Sequence, residues 1–542
     1  PVEYTNNSSV LFDSNSGHYL VNVAEDIYPA TVVFNAGAND YTLSSTGGFG
    51  IQSGTLTKNG TGKLTIATNN GYYDQTTISG GTLEVTGSIS SSYLISIATP
   101  GTLAFNFANS PNVYSAPITG SGSVVKNGNG ALTLSPTNSS FTGSLTLNAG
   151  TLNFNGANAW GAAGGAFVIN GGTLDNTSGG AITASSNKAQ QWNANFSFTG
   201  SNNLDLGTGT VTLGGPNDRT VVPGGAGDVL TVGEIKSSTQ GLIITGGGTL
   251  VATSNGAFAD GSNIGGPLSV ESGTTLQINR SAGATGDFVA TGLAGSGTIT
   301  NGAAASDRSL QINTTGDHTF SGTLANGGAG SLALNKQGSG SLTLTGTNTY
   351  TGQTVVGGGI LNVRNSNALG SSSVRSLTRT GGIQLQDNIS LPPTVTFLLS
   401  NDGTPGATVP YAIDNVSGDN TINGVITMTS GGGGSIIHIA SQLGSVAAAG
   451  HAVLVVPQAD QRTGAVAVPA DGVRVHRAGD AAALHALQHR GEDGVAGAAG
   501  PDLLERDVLH GVGVGQCAGW LPGGSIRRLD GYRSGQAARS EE

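Results

Sequence analysis

The sequence predicts an all-β solenoid, and three observations carry the prediction. A unit of similar length recurs three times, as Lys58–Val85 (KNGTGKLTIATNNGYYDQTTISGGTLEV), Lys126–Phe154 (KNGNGALTLSPTNSSFTGSLTLNAGTLNF) and Lys336–Val363 (KQGSGSLTLTGTNTYTGQTVVGGGILNV). Short apolar-polar-apolar triplets run through the chain, the period-two signature of a strand with one buried face. Glycine contributes 91 of 542 residues and charged residues only 10%. That much glycine is more than a packed helical protein tolerates, while the regular Leu/Val/Ile alternation argues against disorder.

Each unit has the same parts in the same order. A Lys precedes Gly-x-Gly; then come the triplets Leu64-Thr65-Ile66, Leu132-Thr133-Leu134 and Leu342-Thr343-Leu344. An aromatic follows (Tyr73, Phe141, Tyr350), and the unit closes on Leu83/Val85, Leu152/Phe154 or Leu361/Val363. A unit this short cannot bury its apolar face alone and must stack on its neighbours. Gly and Asn fit the corners, because both accept positive φ.

These residues resemble the passenger-associated transport repeat, also called the autotransporter-associated β-strand repeat. The resemblance implies a right-handed parallel β-helix, exported to the bacterial cell surface or the extracellular medium, in a family associated with the outer membrane. Its implied partners are the outer-membrane translocation machinery and surface glycans or a host surface. It implies no cofactor and no single activity, since such passengers carry many.

Along the chain, residues 1–50 read as strands around Leu11-Phe12, Tyr19–Val23, Ala30–Phe34 and Tyr41–Leu43. The repeats lie at 54–85, 120–154 and 330–363 within a β-helix spanning 1–440. Partial units appear at Gly171-Gly-Thr-Leu174, Gly247-Gly-Thr-Leu250, Gly273-Thr-Thr-Leu276 and Gly295-Ser-Gly-Thr-Ile299. In Trp192–Gly214, Phe196/Phe198, Leu204/Leu206 and Val211/Leu213 each bracket a polar residue. Residues 441–542 differ sharply, with nine Arg, no Lys, Asn or Phe, and Thr463 as the single threonine. An irregular or disordered tail is expected there, read as an out-of-frame translation. The rival reading is an Ala-rich domain with a helix around Asp480–Arg490.

A net charge of −11 disfavours a nucleic-acid partner. The single Cys517 excludes an intrachain disulfide framework. No apolar run approaches the length of a spanning helix, so no membrane insertion is expected of this segment. The chain begins with Pro1 and shows no signal segment, which reads as a fragment or processed form.

Candidate chemistry is thin. Asp218-Arg219 and the group Asp402, Asp414, Asp419 are the best carboxylates for polysaccharide cleavage, but they do not recur at a fixed offset, and solvated loop residues are the favoured reading. Gly224-Gly-Ala-Gly-Asp228 reads as a turn rather than a calcium loop. Gly60-Thr-Gly62-Lys63-Leu64 lacks the residues of a phosphate loop. His485 and His489 have a metal-compatible spacing without an adjacent general base, and Gly513-x-Gly515-x-x-Ala518 lacks a surrounding βαβ unit. Lys58, Lys126 and Lys336 are expected to be exposed charges that discourage lateral pairing. Tyr73, Phe141 and Tyr350 are expected to be packed corners. No catalytic, cofactor or metal residue is assigned, and the chain is read as a non-catalytic passenger or stalk. A glycan-binding adhesin, marked by exposed aromatics and Asn rows on one face, and a polysaccharide lyase or hydrolase are the alternatives.

Overall fold

The computed structural model describes residues 4–430 except 16, 90–91, 109–111, 135–139, 255–262, 281–287, 303–306, 379–380 and 402–411. Beyond 430 it describes only the strand segments 439–441, 446–448, 452–455, 466–468, 474–475, 518–520 and 526–528. Between residues 9 and 430 the described strands pair in parallel, each with its counterpart one coil away. The chain is a parallel β-solenoid, as the alternation predicts.

Strands expected in the first 50 residues are found as Ser9–Asp13, Leu20–Asn22, Thr31–Asn35 and Tyr41–Ser44. Those expected from Trp192–Gly214 are found as Phe196–Phe198, Leu204–Asp205 and Val211–Leu213. Side chains alternate across each strand, so Leu56, Leu64, Ile66, Ile78, Leu83 and Val85 of the first unit all point into one core. Stacking puts like on like. Leu64, Leu83, Leu103, Val124, Leu145 and Phe167 form a single inward column. Full burial of each such side chain is worth roughly 1.5–3 kcal/mol, and every coil contributes several. The core therefore grows linearly with chain length.

The five largest sheets have 6, 11, 15, 7 and 9 strands; the triplet and closing strands of the second and third units share the fifteen-stranded one, while those of the first lie in the eleven-stranded one. Thr55–Lys58 lies in the six-stranded sheet, Ser123–Asn127 in the eleven-stranded and Leu332–Gln337 in the nine-stranded. The second and third units stand on the same sides of the solenoid, because the bridges Lys236–Asn263 and Asn263–Val289 join the eleven- and nine-stranded sheets; the first unit is offset by one side. The repeat is thus a local device for closing and stacking a coil.

Candidate functional site

The lysines expected on the surface are inside. Lys58, Lys126 and Lys336 are all but fully buried, which corrects the reading of exposed charges. Each occupies an inward column whose neighbours are apolar: Phe34 and Ile78 flank Lys58, Phe105 and Leu147 flank Lys126, and Ile312 and Val356 flank Lys336. Buried lysines are rare, yet of six lysines in the chain these three and Lys188 are buried.

What makes burial tolerable is the turn that follows. Lys58 Nζ donates to the carbonyls of Asn59 (2.6 Å) and Gly60 (3.1 Å) in its own turn, and of Gly80 (3.2 Å) in the next coil's turn. Lys126 Nζ does the same with Asn127, Gly128 and Ala149, and Lys336 Nζ with Gln337, Gly338 and Gly358. The three N–H groups of the ammonium are thereby matched to three carbonyls. Charge-assisted bonds of this kind oppose the desolvation cost. Burial nonetheless pushes the Lys126 and Lys336 ammonium groups down to about 8. It also lowers that of Lys58, with Asp40 opposing the shift.

The glycines of the repeat are explained by the same packing. Gly60, Gly128 and Gly338 have φ of +71°, +68° and +77°, which turns their carbonyls toward the ammonium side of the corner. One coil on, a Cβ at Gly81 would fall 2.4 Å from the Gly62 carbonyl oxygen and 2.8 Å from Lys58 Nζ. The turns nest too closely for any side chain.

Two further polar staples cross from coil to coil. Asn70 Oδ1 accepts from the Ile51 N–H (2.9 Å) of the preceding coil while its Nδ2 donates to the Ser88 carbonyl (2.9 Å) of the following one. Asn348 links the Leu324 N–H and the Ala368 carbonyl in the same way. The Tyr72 hydroxyl meets Thr76 Oγ1 at 2.9 Å, which meets Ser92 Oγ at 3.1 Å. Tyr350, Thr354 and Ser372 repeat this chain at 2.6 and 3.0 Å. Burial pushes the Tyr350 hydroxyl up to about 12.

Tyr350 and Phe141 are packed corners as expected, but Tyr73 is not. The residue equivalent to Tyr350 is Tyr72, buried, whereas Tyr73 is 76% exposed. The correction follows from spacing: Tyr72 and Tyr350 both stand fourteen residues after the unit's Lys. Phe141 carries a different partner. The Lys188 ammonium lies 5.3 Å from its ring centroid and donates to the Gly143 and Gly165 carbonyls.

The remaining candidates hold backbone. Asp218 Oδ1 accepts from the Gly241 N–H, and the Arg219 guanidinium donates to the carbonyls of Asn193 and Asn217. Asp228 Oδ2 accepts from the Gly225 N–H within its own turn. Asp414 is buried in its strand and Asp419 is exposed, whereas Asp402, His485, His489, Gly513 and Gly515 lie outside the described residues. Among the described residues no group of three or more His, Cys, Asp or Glu is placed to hold a metal. An exposed Asn row does exist: Asn148 donates to Asn127, Asn170 to Asn148 and Asn193 to Asn170, at 2.7–2.9 Å.

Taken together, a column of parallel coils fastened by recurring buried Lys, Asn and Tyr side chains defines a β-solenoid repeat protein. Four segments, at residues 56–85, 124–154, 149–175 and 334–363, match the sequence model of the passenger-associated-transport-repeat. These four segments are similar to passenger-associated transport repeats, which supports reading the chain as an autotransporter-type passenger. No curated protein and no solved structure matches it. The segment 149–175 contains the partial unit Gly171–Leu174; it escaped recognition as a full repeat because Leu147 stands where the other units have Lys.

Proposed function

We propose that the solenoid is the stiff, non-catalytic stalk of a bacterial surface passenger, and that the repeats serve its export. The observation that carries this reading is the direction of the staples. Each repeat lysine completes its hydrogen bonds only when the next coil is laid down, because the third carbonyl belongs to that coil. Asn70 and Asn348 likewise need a coil on either side. A chain emerging from a pore gains these bonds coil by coil, and each completed coil opposes its return. The gain is local, so folding needs no distant partner.

The test is surface display of the chain fused to an autotransporter barrel, read by protease accessibility on intact cells. Deleting residues 334–363 is expected to lower display, and Lys336→Met, which keeps chain length, to lower it in the same direction. Undiminished display of both variants would count against an export role. A purified chain that releases oligosaccharides from polysaccharide would overturn the non-catalytic part.

A further inference from the structure

Tyr73 and Tyr93, each 76% exposed, contribute nothing to the core that the neighbouring Tyr72 serves. They occupy the same corner of consecutive coils, since the Tyr93 N–H donates to the Tyr73 carbonyl at 2.8 Å. On the coil after them the chain changes to Ser115, Ala116 and Pro117, and an open cleft of about 560 Å³ is lined by these residues with Leu94 and both tyrosines. Ser115 of this lining is exposed, as are Asp74 and Gln75, which follow Tyr73 in the chain. Val113, two residues before Ser115, is a further exposed apolar side chain, at 56%.

Two exposed rings on consecutive coils beside an open cleft offer a stacking surface, and its chemistry narrows the occupant. Strand addition by a peptide is disfavoured, because the main chain at this corner is already paired from coil to coil. The cleft is too open to enclose a drug-like apolar molecule. No Lys or Arg lines it, and the chain carries a net charge of −11, so a polyanion is repelled. What remains favourable is a flat, uncharged, hydroxyl-rich ligand. Its C–H faces would lie on the tyrosine rings while its hydroxyls meet Asp74, Gln75 and Ser115. The backbones of the two tyrosines lie one coil apart, about 4.8 Å, the length scale of one sugar residue.

We propose that the Tyr73–Tyr93 corner binds a neutral oligosaccharide running along the coil stack. The proposal stands whether or not the chain is exported. The test is calorimetric titration of the full chain with cellohexaose, xylohexaose and a β-1,3-linked glucohexaose, with polygalacturonate as the charged probe. At least one neutral hexasaccharide is expected to bind. Tyr73→Ala and Tyr93→Ala should each weaken it about tenfold, the scale of one lost stacking ring, and the double variant should abolish it. Because both side chains are exposed, melting temperatures should stay unchanged, which separates lost binding from lost folding. The proposal is overturned if no neutral sugar binds at millimolar concentration, if only polygalacturonate binds, or if the double variant binds undiminished. Equally, it is overturned if the double variant's one effect is to abolish self-association of the chain.

Discussion

Lys126 and Leu147 are neighbours in the same inward column, one coil apart, and they close their turns by different means. Lys126 enters a turn at Asn127–Gly128 and binds forward to the Ala149 carbonyl. Leu147 enters the turn Asn148–Ala149–Gly150 with a hydrocarbon, and its Cδ1 would lie 3.3 Å from a Cβ at Gly172. Lys58 Nζ has the matching place opposite Gly81. Both turns need a positive-φ glycine one coil on, Gly150 at +70° and Gly172 at +89°. The difference teaches that glycine is the geometric requirement of the repeat and the ammonium an added fastener. An exposed ladder from Asn127 through Asn148 and Asn170 to Asn193 crosses the same corner, starting beside Lys126 and continuing past Leu147.

The largest expected effect is therefore at glycine. A Cβ at Gly150 would sit 2.5 Å from the carbonyl oxygens of both Gly128 and Gly130, in a left-handed backbone. Gly150→Ala should cost about 3 kcal/mol or more, measured by urea unfolding. Gly172→Ala should cost less, since it meets one backbone oxygen, at 2.6 Å, and a Leu side chain that can give way. Equal costs at the two positions would erase the distinction between the turns.

Next in size is the lysine itself. Lys126→Met removes the donor from three carbonyls and should destabilise by about 2–4 kcal/mol, whereas Leu147→Met should cost under about 1.5 kcal/mol. Buried charges are sometimes replaced by apolar residues without loss; a neutral Lys126→Met would place this lysine in that class. Hydrogen exchange should then show whether protection falls at the two stapled turns alone.

A smaller effect is the dependence on pH. Lys126 and Lys336 release their protons near 8 when folded, against about 10.4 when unfolded. Between those values the unfolded chain binds more protons, so stability should rise with pH across that window and be flat below it. Urea midpoints at pH 7.5 and 9.5 measure this rise. The double variant Lys126→Met/Lys336→Met should lack most of it, and an undiminished rise would assign it to other groups.

Much of this fold was legible in the sequence, because a two-residue period and stacked glycines survive in any order of loops. The buried lysines were legible too, though their charge concealed them. Leu56-Thr57-Lys58, Val124-Val125-Lys126 and Leu334-Asn335-Lys336 each place Lys on the inward phase of its own strand. Tyr72 was likewise marked by its fourteen-residue distance from Lys58. What the sequence could not show is contact across coils. Ser88 and Ile51 have no visible relation to Asn70 until the coils are stacked, and neither do Tyr73 and Tyr93 as one corner. The register between coils is set by loops whose lengths vary, so no fixed period reveals it.

The subtlest prediction reverses the comparison. Leu147→Lys would bring an ammonium to a turn whose positive-φ glycine, Gly150, stands three residues on, against two for Lys58, Lys126 and Lys336. In its favour, the Asn148 carbonyl, one residue on, holds the place that Asn127 holds for Lys126. Against it, the Ala149 carbonyl, two residues on as Gly128 is from Lys126, already accepts from Lys126 Nζ at 3.2 Å, and Lys126 would lie one coil away with the same charge. Two ammonium groups about 5 Å apart in a low dielectric repel each other more than the added hydrogen bonds return. The substitution alone should therefore destabilise by about 1–2 kcal/mol. Combined with Lys126→Leu, which exchanges the two residues, it should recover part of that loss. A coupling energy of the expected sign in this cycle would mean that repeats keep lysines on separate coils because adjacent ones conflict; zero coupling would leave Leu147 as a tolerated substitution with no such constraint behind it.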